Sequence, residues 1–353
     1  MRKMQEYIVK GNRIFIGLED SKRTWRICVR CDGMVVHETS MPAEYEVLHA
    51  YCRNRYPACE ITVMYEAGFQ GFWLHDLLKG DGIACIVTPP NKVTGVRDNR
   101  VKTDRRDARR LAQNLENGDY VRCYVPDRER REDRQISRTL DQLQKDIKRT
   151  KNRIRKMLDY HGLNGGLKRG IWTTRDYLIV RGLNLPQSLK ISLEAYLREL
   201  EAQVSLEKEL KNELLTLCRK ERYKAGVQVK CTSPGIGWLT AIRLTLEWGD
   251  LSRFRTGKHI GSYSGLTSCE YSTGETVRRG RITGQSSEQI RSWLIECAWR
   301  AIRKDPVLLE KFRSVWHNSG SKKKAIVAVA RKLVVRLWAL EKTRQPYCIG
   351  VVE

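Results

Sequence analysis

No stretch of about 18 consecutive apolar residues occurs in this sequence, and no basic-then-apolar leader with a small-residue cleavage site opens it. The first absence argues against a membrane-spanning helix and the second against export. Paired metal-binding cysteines are also lacking. The eleven cysteines stand singly apart from Cys28-Val-Arg-Cys31, and neither a second C-x-x-C nor a His-x-x-x-His follows that pair. The pair lies in an alternating strand pattern, where positions three apart face opposite sides, so buried reduced thiols are expected there and not zinc. The odd count speaks against a closed disulfide framework. Acid is in deficit as well: 41 Asp and Glu against 66 Lys and Arg leave a formal net charge of +25. Solubility requires far less, and the excess predicts a polyanionic partner, nucleic acid before membrane. The expectation is a cytoplasmic, nucleoid-associated protein whose 353 residues suffice for two or three domains.

What is present begins with short apolar runs. Residues 13–19, 24–29 and 34–38 read as an antiparallel meander, with Cys31-Asp-Gly33 as a turn signal. Residues 43–55 predict a helix ended by Tyr56-Pro57, and residues 61–65 a fourth strand that delivers Glu66 at its C-terminal end. A helix over 72–78 and a strand over 83–88, closed by Pro89-Pro90, follow. The order β-β-β-α-β-α-β-α is that of the ribonuclease H-like, or RuvC-like, fold. In such a sheet, ligands gather at strand C-terminal ends. Glu19 ends the first strand and Glu66 the fourth.

The segment V-K-T-D-R-R-D-A-R-R-L-A, residues 101–112, supplies two further acids. Asp104 and Asp107 are three apart and so share one helix face. Seven basic residues surround them: Arg97, Arg100, Lys102, Arg105, Arg106, Arg109 and Arg110. Carboxylates held together amid such charge suit a magnesium ion beside a phosphate backbone. Taken alone, the segment reads as a solvated helix with i+3 and i+4 ion pairs. Four acids placed at strand ends and on this helix favour the metal.

From Arg134 the pattern changes. Ile136, Leu140, Leu143, Ile147, Thr150, Ile154 and Met157 step by fours and threes, a heptad seam. Residues 162–170 interrupt it. Leu193, Leu197, Leu200 and Val204, then Leu210, Leu214 and Leu217 after a slip in phase, make a second run. The simplest reading is a long-armed coiled-coil hairpin that spaces domains, pairs with a second copy or grips nucleic acid. The division predicted is 1–126 for the RuvC-like domain, 127–222 for the coiled-coil segment and 223–353 for a mostly helical C-terminal domain.

That last domain opens with Pro234-Gly-Ile-Gly237 before an apolar helix over 238–248. The pattern suits a helix-hairpin-helix turn, in which Gly235 and Gly237 let backbone N–H groups approach a phosphate. A tight turn between core helices looks the same. Ser272 and Thr273 precede Gly274 and are followed by Arg278, Arg279 and Arg281. A hydroxyl among guanidinium groups could attack phosphorus, although an ordinary turn also carries Ser-Thr-Gly. Residues 292–303 and 322–340 predict further helices, the second opening on three lysines that touch phosphate or simply solvate its start.

With these residues in view, the sequence resembles transposases of the IS-one-ten insertion-sequence family, which includes DEDD-type pilin-gene invertases and bridge-RNA-guided recombinases. The likeness rests on Gly17-Leu-Glu-Asp-Ser-Lys22, Tyr65-Glu-Ala-Gly68, Lys102-Thr-Asp-Arg-Arg-Asp-Ala108, Pro234-Gly-Ile-Gly237 and residues 265–283, in family order. It implies that Glu19, Glu66, Asp104 and Asp107 form an acidic tetrad holding Mg2+, and that the Ser272/Thr273 turn supplies a nucleophilic hydroxyl. It further implies a covalent protein–DNA phosphoester, donor and target DNA, an element-encoded noncoding bridge RNA, and a homo-oligomer, dimer or tetramer. Lys102, Arg105, Arg106, Arg109, Gly235, Gly237, Arg278, Arg279 and Arg281 would then touch nucleic acid.

Three positions depart from the family pattern. The first acid is Glu19 where Asp is usual, with Asp20 facing the other way along an extended strand. The residue directly before Gly274 is Thr273, not Ser, and Ser272 is favoured as the less hindered primary hydroxyl. Gly284-Gln-Ser-Ser287 stands where a Lys-x-Gly-Asn is common. Two other functions fit the acids: a metal-dependent junction-resolving nuclease using water, and a catalytically silent RNA/DNA-binding protein.

Overall fold

The computed structural model describes residues 13–90, 103–163, 172–270, 279–283 and 286–350. The chain divides into two compact units, Met1–Val125 and Pro126–Glu353.

In the first unit, β1 (Arg13–Glu19), β2 (Thr24–Cys31) and β3 (Met34–Pro42) form the expected meander. There follow α1 (Tyr45–Arg55), β4 (Glu60–Glu66), α2 (Trp73–Gly80), β5 (Ala84–Thr88) and α3 (Asp104–Asn117). The sheet runs β3-β2-β1-β4-β5, antiparallel on the meander side and parallel from β1 through β4 to β5. Asp32 and Gly33 both have positive φ, the backbone that a two-residue turn between twisted strands requires.

Both faces of the sheet are covered, which is why its central strands are apolar without a polar side. On one face Ile14, Ile16, Leu18, Val63 and Tyr65 pack against Leu48 and Cys52 of α1 and Leu74 and Leu78 of α2. On the other, Met64 and Ile86 meet Leu111 and Leu115 of α3, and Cys28 meets Ala108 and Ala112. Cys31 belongs to the first face, so the Cys28/Cys31 pair is split across the sheet, as its spacing predicts. Gly17 fixes how closely α3 approaches. A Cβ at that position would lie 2.2 Å from the Ala108 carbonyl oxygen and 2.3 Å from the Ala112 nitrogen.

The second unit is mostly helical. Its two long helices, α4 (Arg128–Tyr160) and α6 (Gln187–Arg219), pack through Ile147, Ile154, Leu158, Leu193, Leu197 and Leu200. Between them α5 (Thr174–Arg181) is closed by a reciprocal Thr173/Asp176 capping box. Then come α7 (Glu221–Cys231), α8 (Trp238–Trp248), α9 (Gly257–Tyr263), the strands β6 (Ser268–Glu270) and β7 (Arg279–Ile282), α10 (Glu288–Ala301), α11 (Pro306–Ser319) and α12 (Lys322–Thr343). Leu140, Leu214 and Leu217 of the long helices share one core with α8, α10 and α12, so the segments expected at 127–222 and 223–353 lie in one compact unit.

Buried charges are paired across that core. Lys230 is fully buried, bonded to Glu341, to Thr245 Oγ1 at 3.0 Å and to the Gly226 carbonyl at 3.2 Å. Burial lowers its pKa and Glu341 opposes that shift. Arg336 meets Asp305 at 2.9 Å, and Arg138 meets Glu247 through two bonds of 2.8 and 3.1 Å. Among the described residues no helix is long and apolar enough to cross a membrane.

Candidate active site and nucleic-acid surfaces

The alternation of β1 decides where Glu19 belongs. Leu18 faces the α1/α2 side and Gly17 abuts α3, so Glu19, two residues beyond Gly17, stands on the α3 face. The same holds in β4, where Met64 packs under α3 and Glu66 follows two residues later. Leu18 pairs in parallel register with Tyr65, which sets Glu19 and Glu66 side by side one step further along. Asp20 lies instead near Gly68, in the segment after β4, and burial raises its carboxyl above the ordinary range.

Helix α3 brings the remaining acids. Its N-cap Thr103 accepts from the Arg106 backbone nitrogen, which starts the helix so that Asp104 and Asp107 fall in the first turn. Carboxylates there are favoured by the positive end of the helix dipole. Asp107 is only 6 % exposed, whereas Asp104 is exposed. Arg110 Nη2 stands 3.1 Å from Asp107 Oδ1 and 3.5 Å from Glu66 Oε1, so one guanidinium gathers both acids.

The predicted tetrad is thus brought together in part. Glu66 and Asp107 share a cation, Glu19 adjoins Glu66 through the sheet, and Asp104 stands at the exposed start of α3. Among the described residues no three His, Cys, Asp or Glu side chains are gathered closely enough to hold a metal ion. Like charges separate unless a cation lies between them, and here that cation is Arg110. The donor set is hard carboxylate oxygen and already accepts a positive charge, so the chemistry of these residues suits a divalent ion although their spacing around Arg110 does not enclose one.

Two of the arginines predicted for nucleic acid have a second occupation. Arg105 bonds Glu38 of β3 at 2.9 and 2.6 Å, and Arg109 bonds the same carboxylate through Nε and, at 2.7 Å, Nη2. These bonds, Arg109's first, hold the Glu38 pKa down to about 2 against burial. Arg30 pairs with Glu116 at 2.6 Å, and Glu116 also accepts from the Gly33 nitrogen at 2.7 Å. Both ends of α3 are therefore tied to the meander. Arg106 is exposed. Glu38, Glu116 and Arg110 were not singled out for these roles by sequence; only the strand register reveals the first two.

In the second unit, Gly235 has φ +83° and presses on α10, where an added Cβ would lie 2.5 Å from the Cys297 carbonyl oxygen. Gly237 caps α8 with φ −94°, and an added Cβ there would meet nothing within 4 Å. Strands β6 and β7 pair antiparallel, Ser268 with Ile282 and Glu270 with Arg279. Arg281 is exposed on β7. Ser272, Thr273 and Arg278, like Lys102, lie outside the described residues, as does the side chain of Arg279.

Comparison with known proteins adds the decisive observation. Residues 16–162 match the DEDD transposase domain of the IS110 group, and residues 229–313 match the domain described as Transposase IS116/IS110/IS902 family. The chain carries both domains of the IS110-type transposases. This transposase is 29 % identical to the Sinorhizobium fredii protein y4rJ, which carries a provisional transposase name, over 92 % of this chain and 91 % of that one. It is 24 % identical to the transposase for insertion sequence element IS1533 of Leptospira borgpetersenii over 81 % and 83 % of the two chains. A pilin gene-inverting protein of Moraxella bovis is 28 % identical over 33 % and 37 %. The first matched region contains Glu19, Glu66, Asp104 and Asp107, on the ribonuclease H-like fold that a DEDD domain implies. The second contains the Pro234–Gly237 turn and the β6–β7 arms. These two domains make the chain a DNA transposase, and the DEDD domain implies dependence on a divalent cation.

Proposed function

We propose that this transposase cuts and exchanges DNA strands with Mg2+ held by Glu19, Glu66, Asp104 and Asp107, through a covalent phosphoester on its own hydroxyl, under the guidance of an element-encoded bridge RNA. The observation that carries this reading is the gathering of Glu66 and Asp107 on one guanidinium at the strand ends, on the face that Glu19 shares. When bound, Mg2+ supplies charge stabilisation at the scissile phosphate.

The other work falls to the chain. Thr103 fixes the first turn of α3 and so holds Asp104 and Asp107 in place. Lys102, Arg105, Arg106, Arg109, Arg278, Arg279 and Arg281 neutralise backbone charge. The Ser272 oxygen attacks phosphorus, the bond from phosphorus to the neighbouring sugar oxygen breaks, the serine proton is released and the sugar oxygen takes one up. Rejoining runs the same exchange backward, with a sugar hydroxyl displacing Ser272. Thr273 is the alternative nucleophile.

Base pairing between the RNA and donor and target DNA carries sequence choice and leaves the protein to hold backbone and shape. The parts predicted at 1–126, 127–222 and 223–353 divide the labour into metal chemistry, coiled-coil assembly and nucleophile delivery. Ile191, Val204 and Leu206, exposed along α6, support pairing of the long helices with a second copy. The chain works in the cytoplasm, at the nucleoid.

The test is incubation with element-end DNA, its RNA and Mg2+, followed by a denaturing gel for protein-linked DNA. An adduct lost in Ser272→Ala and kept in Thr273→Ala is the expected result; the reverse pattern selects Thr273. Cleavage without adduct, indifferent to both hydroxyls, would establish the junction-resolving nuclease instead. Binding without any cleavage, unchanged by Asp104→Asn, would leave only a binding protein.

A further inference from the structure

Helices α4, α8 and α10 line a cleft of about 750 Å³ in the second unit that none of the steps above uses. Asp141, Lys145 and Lys148 face it from α4, and their spacing of four and three puts them on one side of that helix. Arg243 enters from α8, and Arg291, Ser292 and Trp293 from α10. Two of these residues are both charged and deeply buried. Asp141 is 6 % exposed and Arg243 is 5 % exposed.

A staple between α4 and α8 explains only part of that pair. Arg243 Nη2 stands 3.3 Å from Asp141 Oδ1 and donates to Gln144 Oε1 at 3.3 Å. Its guanidinium also lies 5.1 Å from the centre of the Trp293 ring. Asp141 Oδ2 and Arg243 Nε remain buried without a hydrogen-bond partner. Atoms in that state are costly unless water or a ligand meets them. Burial pushes the Asp141 carboxyl above the ordinary range, against Arg243, Lys145 and the Trp293 indole. The last torsion of an aspartate is soft, so a donor arriving in the cleft can be met by a turn of the carboxylate.

The mixture of charges decides the class of ligand. A bare anion would meet the exposed carboxylates of Glu288 and Glu296, and a bare cation would meet Lys145, Lys148, Arg243 and Arg291. Both signs beside an aromatic wall suit a ligand with a donor edge, a flat ring and a phosphate. Among the nucleobases, guanine alone sets two donors, N1–H and N2–H, side by side, the pattern a carboxylate accepts through both oxygens. Its O6 accepts from a guanidinium. Uracil places its one N–H between two carbonyls, and adenine and cytosine set their amino group beside an acceptor.

We infer that this cleft is a site for one unpaired guanine nucleotide, with Asp141 on the N1–H and N2–H edge, Arg243 toward O6, Trp293 against the ring, and Lys145, Lys148 and Arg291 around the phosphate. A free guanine nucleotide and a guanine turned out of a nucleic-acid strand share that chemistry. One base is then chosen by the protein itself, in addition to those chosen by pairing.

The test uses the full chain, with fluorescence anisotropy of a labelled short oligouridylate carrying one central guanine, its central-adenine counterpart and the all-uridine strand, and calorimetry with GMP and AMP. A hydrogen bond to a charged group supports a preference of roughly tenfold, so the guanine strand or GMP should bind about that much more tightly than its adenine counterpart. Selective GMP binding as tight as that of the strand assigns the free nucleotide; tighter binding of the strand assigns a base within nucleic acid. Asp141→Asn should erase the preference and leave the all-uridine strand bound as before, because an amide cannot accept both donors. Ser292→Trp, at an exposed position of the wall, should do the same by filling the cleft, and it decides the matter if Asp141→Asn does not fold. Equal affinity for guanine and adenine in both formats, or a preference that survives in folded Ser292→Trp, would overturn the site. A protein–DNA adduct together with no guanine preference keeps strand exchange and removes this site alone.

Discussion

Arg110 holds Asp107 and Glu66 at 3.1 and 3.5 Å, and any divalent ion entering between those carboxylates must displace it. Half-buried ion pairs of this kind contribute on the order of 1 kcal/mol, about fivefold in affinity. Arg110→Gln should therefore bind Mg2+ severalfold more tightly in calorimetric titration of the nucleic-acid-free protein. Unchanged or weaker binding would show that Arg110 assembles the site and does not compete for it. Glu38 gives a second residue-level prediction. Its pKa falls from the ordinary 4.5 to about 2, so the stability it contributes is fully present above pH 4.5 and is lost as pH drops toward 2. Denaturant unfolding over a pH series should find Glu38→Gln less stable than wild type at neutral pH, with the gap closing across that acidic window. A gap independent of pH would sever Glu38 from the stability of the site.

At the scale of elements, the contact of α3 with β1 positions the chemistry. Gly17→Ala would drive a methyl group into the backbone of Ala108 and Ala112. Overpacking of this sort costs roughly 1–3 kcal/mol. Thermal melting should show that loss, and Mg2+ affinity should fall with it because Asp107 moves away from Glu66. The sheet was legible because each strand is a short apolar run ended by a turn signal, and because acids at 19 and 66 end two of them. The long helices were legible from their seam. Helix α11 was missed although Asp305-Pro306 opens it and Gly320 closes it; few of its side chains are buried, Leu308 and Phe312 among them, so the apolar period is faint. Arg105 and Arg109 read from sequence as free cations for phosphate. Their capture by Glu38 depends on how β3 pairs with β2, which no local pattern encodes.

For the molecule as a whole, the charge of +25 is the property most directly tied to its partner. Counterion release makes nucleic-acid affinity fall steeply with salt, and a chain gripping several phosphates should lose at least about a hundredfold between roughly 50 and 200 mM salt. A shallow dependence would mean that the excess charge serves something other than a polyanion. The buried Lys230–Glu341 pair bears on the order of events during synthesis. An ammonium enclosed without its carboxylate costs on the order of 3–5 kcal/mol, so α7 cannot settle into its final place until α12 has been made. The sheet and α3 are complete by Asn117 and face no such wait. On the ribosome, the acid-bearing unit can therefore mature while its companion is still being translated.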